Sequence, residues 1–117
     1  MKIEIADIKE KGTLAKERVL LNVLSDINIG NYMIYYTRRA SGNSFYTNPI
    51  LSHWFADKNV KKGDLIVLYT KSGKETEKLI RNNENKTHFF YMNQDEAFFD
   101  SDDKLIVAIE LNNWETK

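Results

Sequence analysis

The chain has no cysteine, one proline, five glycines and no excess of charge of either sign. Without cysteine there is no disulfide framework, no thiolate metal site and no cysteine nucleophile. Its apolar runs fall far short of the roughly 20 residues that span a bilayer. The opening residues, Met1-Lys2-Ile3-Glu4-Ile5-Ala6-Asp7, place acids where a secretory signal needs an apolar stretch. These absences predict a soluble cytoplasmic protein without a membrane partner. Gly-x-Ser-x-Gly, Gly-x-Gly-x-x-Gly and the phosphate loop are missing too, so no cofactor is expected. Thr70-Lys71-Ser72-Gly73-Lys74 has phosphate-loop residue types, but it leaves a strand for a polar loop rather than a helix N-terminus.

What is present is strand pattern. The 117 residues predict one domain, 1–117, able to bury roughly two thirds of its unfolded surface. The clearest stretch is Val60–Thr70, where the turn Lys61-Lys62-Gly63-Asp64 leads into Leu65-Ile66-Val67-Leu68-Tyr69-Thr70. Six uncharged residues rich in β-branched and aromatic side chains behind a Gly-Asp turn predict a core strand.

Further strands are predicted at Lys2–Ile8, Glu17–Leu24, Tyr32–Thr37, Ile50–Phe55, Thr87–Met92 and Lys104–Leu111. In the first, Ile3 and Ile5 share a face. In the second, Val19, Leu21 and Val23 oppose Leu20, Asn22 and Leu24, so both faces are expected to be covered at least partly; Leu20, Leu21 and Leu24 also fit a helix. Pro49 precedes the fourth, where a missing donor is tolerated. Lys71–Lys86 is so polar that a long mobile loop is expected, with a turn or two of helix over Lys74–Asn82 as the other option. Asn and Asp must do much of the turn work with glycine so scarce. About seven to nine short strands and almost no helical periodicity predict an all-β sandwich or small barrel. Trp54, Phe98, Phe99 and Trp114 are expected in its core.

Charge is unevenly placed. Residues 38–86 carry ten basic and five acidic side chains, and residues 87–117 carry two basic and seven acidic. The two regions can neutralise one another, or the first can meet a polyanion. Arg38, Arg39, Tyr46, Lys71, Lys74, Lys78, Arg81 and Lys86 are placed in polar connectors. If the loops 38–48 and 71–86 emerge together, these eight form a positive surface with an aromatic, suited to phosphate contact and base stacking. Glu75, Glu77 and Glu84 interrupt it. His53 and His88 sit in aromatic strands; the pair offers acid–base chemistry or metal ligation, but no third ligand stands at a recognisable spacing. Asp95, Glu96, Asp100, Asp102 and Asp103 offer oxygens to calcium but lack the Asp-x-Asp-x-Asp-Gly loop, and they equally suit a solvated turn. No catalytic, cofactor or metal residue is assigned.

Three landmarks, in order, resemble a known family. Glu17–Leu21 followed by Asp26-Ile27-Asn28-Ile29-Gly30-Asn31-Tyr32 is similar to the strand and Asp-Leu-x-Gly-aromatic opening of lamin-tail-like domains. Trp54 to Asp64 resembles their aromatic, Pro-Asp and apolar-x-x-Gly turn, with Ala56 where proline is usual. Asp100 to Glu110 resembles their late acidic turn and apolar strand, with Asp102-Asp103 where Gly-Asp is expected. The resemblance spans about residues 17–111. It implies an immunoglobulin-like β-sandwich and a non-catalytic interaction module, and no binding residues carry over. A rival analogy is the pseudo-barrel of PUA-like RNA-binding domains, where a Gly-Asp pair precedes a core strand. The expected function is therefore a non-enzymatic module that binds a protein partner or associates with its own copy, through a sheet edge or an aromatic surface. The alternative is a nucleic-acid-binding module using the basic loops; a hydrolase of unknown type is third.

Overall fold

The uncharged run behind the Lys61–Asp64 turn forms a strand with a neighbour on each side. The computed structural model describes residues 1–117. Ten strands follow one another: β1 (Ile3–Lys9), β2 (Arg18–Val23), β3 (Ile27–Asn28), β4 (Tyr32–Arg38), β5 (Leu51–Trp54), β6 (Asn59–Val60), β7 (Leu65–Tyr69), β8 (Thr76–Leu79), β9 (Lys86–Tyr91) and β10 (Lys104–Glu110). A 3₁₀ turn, Ile29–Asn31, links β3 to β4. No helix is long and apolar enough to cross a membrane. One sheet runs β1-β2-β7-β9-β8, a second runs β10-β4-β5, and β3 pairs with β6. Only β7 and β9 are parallel. Eight longer strands and one two-residue pair make the all-β, sandwich-like fold that the sequence predicts.

Alternation puts one face of each sheet inward. Val19, Leu21 and Val23 of β2, Ile66 and Leu68 of β7 and Phe90 of β9 meet Tyr32, Ile34 and Tyr36 of β4 in a single buried cluster. Phe98 and Phe99 close it from the connector before β10, with Phe98 edge-on to Tyr36 at 5.1 Å between centroids. Burying each such side chain contributes roughly 1.5–3 kcal/mol. β2 alternates as a strand does: Val19, Leu21 and Val23 are buried, Leu20 and Asn22 on its other face are half-buried, and Leu24, just past its end, is exposed. Ile5 lies opposite Leu21 but is exposed, since β1 is a sheet edge. A bulge between Ile5 and Asp7 brings Ile8 opposite Val19, against the core.

Two expectations are corrected. Residues 71–86 are neither a long loop nor a helix: Thr76–Leu79 pairs antiparallel with β9, Thr76 opposite Phe89 and Leu79 opposite Lys86. All four residues of β8 are exposed, so no hydrophobic alternation marks them; the strand forms because the free side of β9 offers backbone partners. Trp54 and Trp114 are not core: they are 44% and 63% exposed, whereas Phe98 and Phe99 are buried.

Two polar knots hold the ends of the sandwich. At one, the Glu17 carboxylate is wholly buried. It accepts hydrogen bonds from the backbone N–H of Gly12 (3.0 Å), Phe98 (2.8 Å) and Phe99 (2.9 Å) and from the Thr70 hydroxyl. Burial alone would raise its pKa; those four donors outweigh burial and hold the carboxyl below its ordinary range. At the other, Gly63 has φ +93° in the turn before β7, and its N–H reaches Val23 O at 2.9 Å. A Cβ there would come within 2.9 Å of the Asn85 amide. Gly63→Ala is therefore expected to destabilise the fold by about 1–2 kcal/mol, seen as a melting temperature several degrees lower. An unchanged melting curve would contradict this account of the turn.

Candidate functional site

The three-stranded sheet is apolar on both faces. β10 pairs with β4 from Lys104 opposite Arg38 to Glu110 opposite Tyr32, and β4 pairs with β5 from Met33 opposite Trp54 to Tyr36 opposite Leu51. With Tyr32, Ile34 and Tyr36 turned inward, the alternate positions form rows on the outward face. These rows are Ile109–Met33–Trp54, Val107–Tyr35–Ser52 and Leu105–Thr37. None of these side chains belongs to the buried cluster or packs against it. Thr37 is covered by the chain after β4, which folds back so that Arg39 pairs with Phe45 and the Thr37 hydroxyl donates to Tyr46 O at 2.8 Å. Phe45 and Tyr46 remain exposed.

The Trp54 end of this face forms an aromatic corner. The indole Nε1–H of Trp54 donates to Gly30 O at 2.7 Å, and its ring stands edge-on to Trp114 at 5.0 Å. Beside the pair lies a cleft of about 190 Å³ lined also by Asn31 and Asp57. Below it, Asn28 ties two turns together. Its Oδ1 accepts from the N–H of Gly30 (2.8 Å) and of Lys58 (3.0 Å), and its Nδ2 donates to Asp57 at 3.1 Å. The corner is thus anchored to fixed backbone on one side.

The two histidines occupy different environments. His88, on β9, is buried, with Nε2 2.7 Å from Asp64 Oδ2 and Nδ1 3.4 Å from Glu77 Oε2 without a hydrogen bond. Asp64 also accepts from the N–H of Lys61 and Lys86 and from Asn85 Nδ2. Burial opposes its charge, but these donors prevail and lower its pKa to about 2. A polar niche of about 90 Å³ adjoins, lined by Asn59, Lys61, Glu77, Glu84 and Lys86 with the Asp64–His88 pair; no serine, threonine or tyrosine reaches it. His53, on β5, packs edge-on to Phe55 at 4.8 Å, and burial lowers its pKa. It does not line the niche, and the two histidines form no common pocket. No three His, Asp or Glu side chains converge to hold a metal ion. Of the five connector acids, Asp95, Glu96 and Asp100 border a cleft of about 440 Å³ with Ile50 and Lys104; Asp100 binds Lys104 at 2.9 Å and Asp103 binds the Ser101 hydroxyl at 2.5 Å.

The eight basic and aromatic positions are spread along the molecule. Arg38 ends β4 and lies over the Tyr46 ring at 4.8 Å, Lys78 belongs to β8, and Lys86 opens β9 bound to Glu77 at 3.1 Å. These three are strand residues, not connector residues as expected. Arg39 is in the bridge to Phe45. Lys71 follows β7 and lies 4.7 Å over Tyr69, and Lys74 precedes β8. Because β8 runs back along β9, Lys71 and Lys74 lie toward its Tyr91 end, while Arg81 and Lys86 lie at its start. The residues overlooked by sequence reasoning are Met33, Tyr35, Leu105, Val107 and Ile109. A visible signal was there: β4 and β10 are apolar at consecutive positions, more than one inward face needs.

Comparison with protein-family models, with curated proteins and with solved structures returns no match for this chain. Fold and surface together define its class: an all-β, sandwich-like protein whose three-stranded sheet carries a half-buried apolar outer face ending in the exposed Trp54–Trp114 pair.

Proposed function

We propose that the protein is a non-enzymatic interaction module that docks a protein partner through the outward face of the three-stranded sheet. The observation that carries this reading is the set of rows formed by Met33, Tyr35, Trp54, Leu105, Val107 and Ile109, apolar and outside the core. Aromatic and Met side chains around a dry centre, with polar groups at the rim, are what interfaces enrich. The lamin-tail-like, immunoglobulin-like assignment belongs to the same proposal. It is supported by the direct bonding of the two family-like turns, Ile29 N–H to Lys58 O at 2.9 Å and Asn28 to Asp57 at 3.1 Å.

The nucleic-acid alternative draws on a different feature. Tyr69 and Tyr91 stack at 5.4 Å on the other sheet, flanked by Arg18 and Lys71. Each ring already covers a face of the other, which leaves less surface for a base. A photo-cross-linking residue at position 35 is expected to capture discrete protein adducts in cells, and one at Glu4 is not; equal patterns would sink the proposal. On a polyanion column the protein is expected to elute unretained at low salt. Salt-dependent retention would transfer the reading to nucleic acid.

A further inference from the structure

Apart from the two-residue pair β3 and β6, four strands are sheet edges: β1, β8, β5 and β10. Exposed edges invite pairing with other chains, and proteins blunt them with bulges, charge, proline or shortness. β1 has a bulge and three charged residues, β8 is four exposed residues with two charges, and β5 is four residues long just after Pro49. β10 has no bulge and no proline, and its only charges stand at its two ends, Lys104 and Glu110. It has seven residues, an unbroken register with β4, and the apolar run Leu105-Ile106-Val107-Ala108-Ile109.

Its backbone says which groups are free. Arg39 N–H donates to Asp103 O at 2.7 Å and Leu111 N–H donates to Asn31 O at 2.8 Å. Odd-numbered residues therefore exchange bonds with β4, and even-numbered residues turn their N–H and C=O the opposite way. Ile106, Ala108 and Glu110 find no backbone partner there. Ile106 and Ala108 also remain half-buried although their side chains pack against the core.

We propose that this edge pairs antiparallel with the β10 edge of a second copy, about a two-fold axis at Val107. The inference deepens the interaction-module reading and rests on it. Only even-numbered residues offer free groups, so the axis must oppose even with even, and Ile106, Val107 and Ala108 are the central choices. The axis at Val107 alone sets Lys104 opposite Glu110 of the second copy, twice by symmetry. It also sets Ile106 opposite Ala108 and Leu105 opposite Ile109, so that apolar residues meet along the whole strand. The product is a six-stranded sheet in which the two outward faces become one.

Light scattering across a concentration series is expected to show the mass rising from 13.7 kDa toward twice that value. Ala108→Pro removes an outward donor and leaves the bonds to β4 in place; it is expected to stay monomeric with an unchanged circular dichroism spectrum. Lys104→Glu or Glu110→Lys alone sets like charges face to face and is expected to weaken association about tenfold. The double exchange K104E/E110K is expected to restore it, and this series carries the test if the proline variant does not fold. A wild-type chain that stays monomeric throughout, or a dimer indifferent to both the proline and the charge exchanges, overturns the pairing. Cross-linking at position 35 reports separately. Adducts to other proteins in a monomeric chain leave the interaction module standing and remove only the self-pairing, and loss of both dimer and adducts removes both.

Discussion

Glu17→Ala is expected to lower the melting temperature by about 15 °C, the largest single-residue effect in this fold. The carboxylate has no exposure and serves four donors: three backbone N–H groups and the Thr70 hydroxyl. Truncation leaves those donors buried without an acceptor, and each orphaned group costs about 1–3 kcal/mol. Such losses are not additive, and about 4 kcal/mol in total is the scale reached when one partner of a buried charged cluster is removed. Against a total stability of about 5–15 kcal/mol, that is a large share. Glu17→Gln keeps an acceptor oxygen but turns an amide N–H₂ toward donors, and its loss is expected to be intermediate. Urea titration and thermal melts would measure both. A Glu17→Ala chain within about 1 kcal/mol of wild type would remove Glu17 from this role.

The second large effect is acid sensitivity centred on Asp64. Its folded-state pKa, about 2, lies below the 3.8 of an unperturbed aspartate. Above the higher value the group is ionised in both states, and the stabilisation is fully present. As pH falls through that value the unfolded chain takes up a proton that the native carboxylate refuses, so stability drops. Below the folded pKa both states are protonated and the contribution is gone. The group is nearly unexposed, and the contribution is about 2 kcal/mol, lost mainly between about pH 5 and pH 2. Glu17 shifts in the same direction and adds to the slope; Asp7 and Asp100 shift likewise but are exposed surface pairs. Asp64→Asn is expected to be weaker than wild type by about that amount at pH 7 and equal to it near pH 2. A gap of the same size at both pH values would show that the carboxylate's charge plays no part.

The long apolar strands were legible because their side chains declare an inward face. β4, β7, β9 and β10 all emerge close to the runs read from sequence, and the Lys61–Asp64 turn stands where Gly63 and Asp64 suggest. β8 was not legible, since Thr76-Glu77-Lys78-Leu79 has only one apolar residue and all four are exposed. Glu17 was read as the first residue of the strand Glu17–Leu24, with nothing to mark its carboxylate as buried. Its partners stand 53, 81 and 82 positions away at Thr70, Phe98 and Phe99, and no local pattern announces such a meeting. The candidate surface was half legible. The consecutive apolar residues of β4 and β10 were plain, but which strand lies at a sheet edge is a property of topology. The expectation for Trp54 and Trp114 failed for a related reason: a large indole satisfies its N–H at a backbone carbonyl and rests on a second ring without entering the core.

The pairing of β4 with β10 also has a consequence for how the chain is made. Tyr32 and Glu110, joined by a hydrogen bond of 2.5 Å, lie 78 positions apart. At a synthesis rate of about 5–20 residues per second, β4 leaves the ribosome on the order of ten seconds before its last neighbour is complete. β5 arrives early and covers one side of β4, while the other side waits. During that interval the nascent sheet shows an unfilled edge beside its own apolar face. β10 alone in this chain has the seven-residue register that fills it. Closure of this sheet is therefore left to the last strand made.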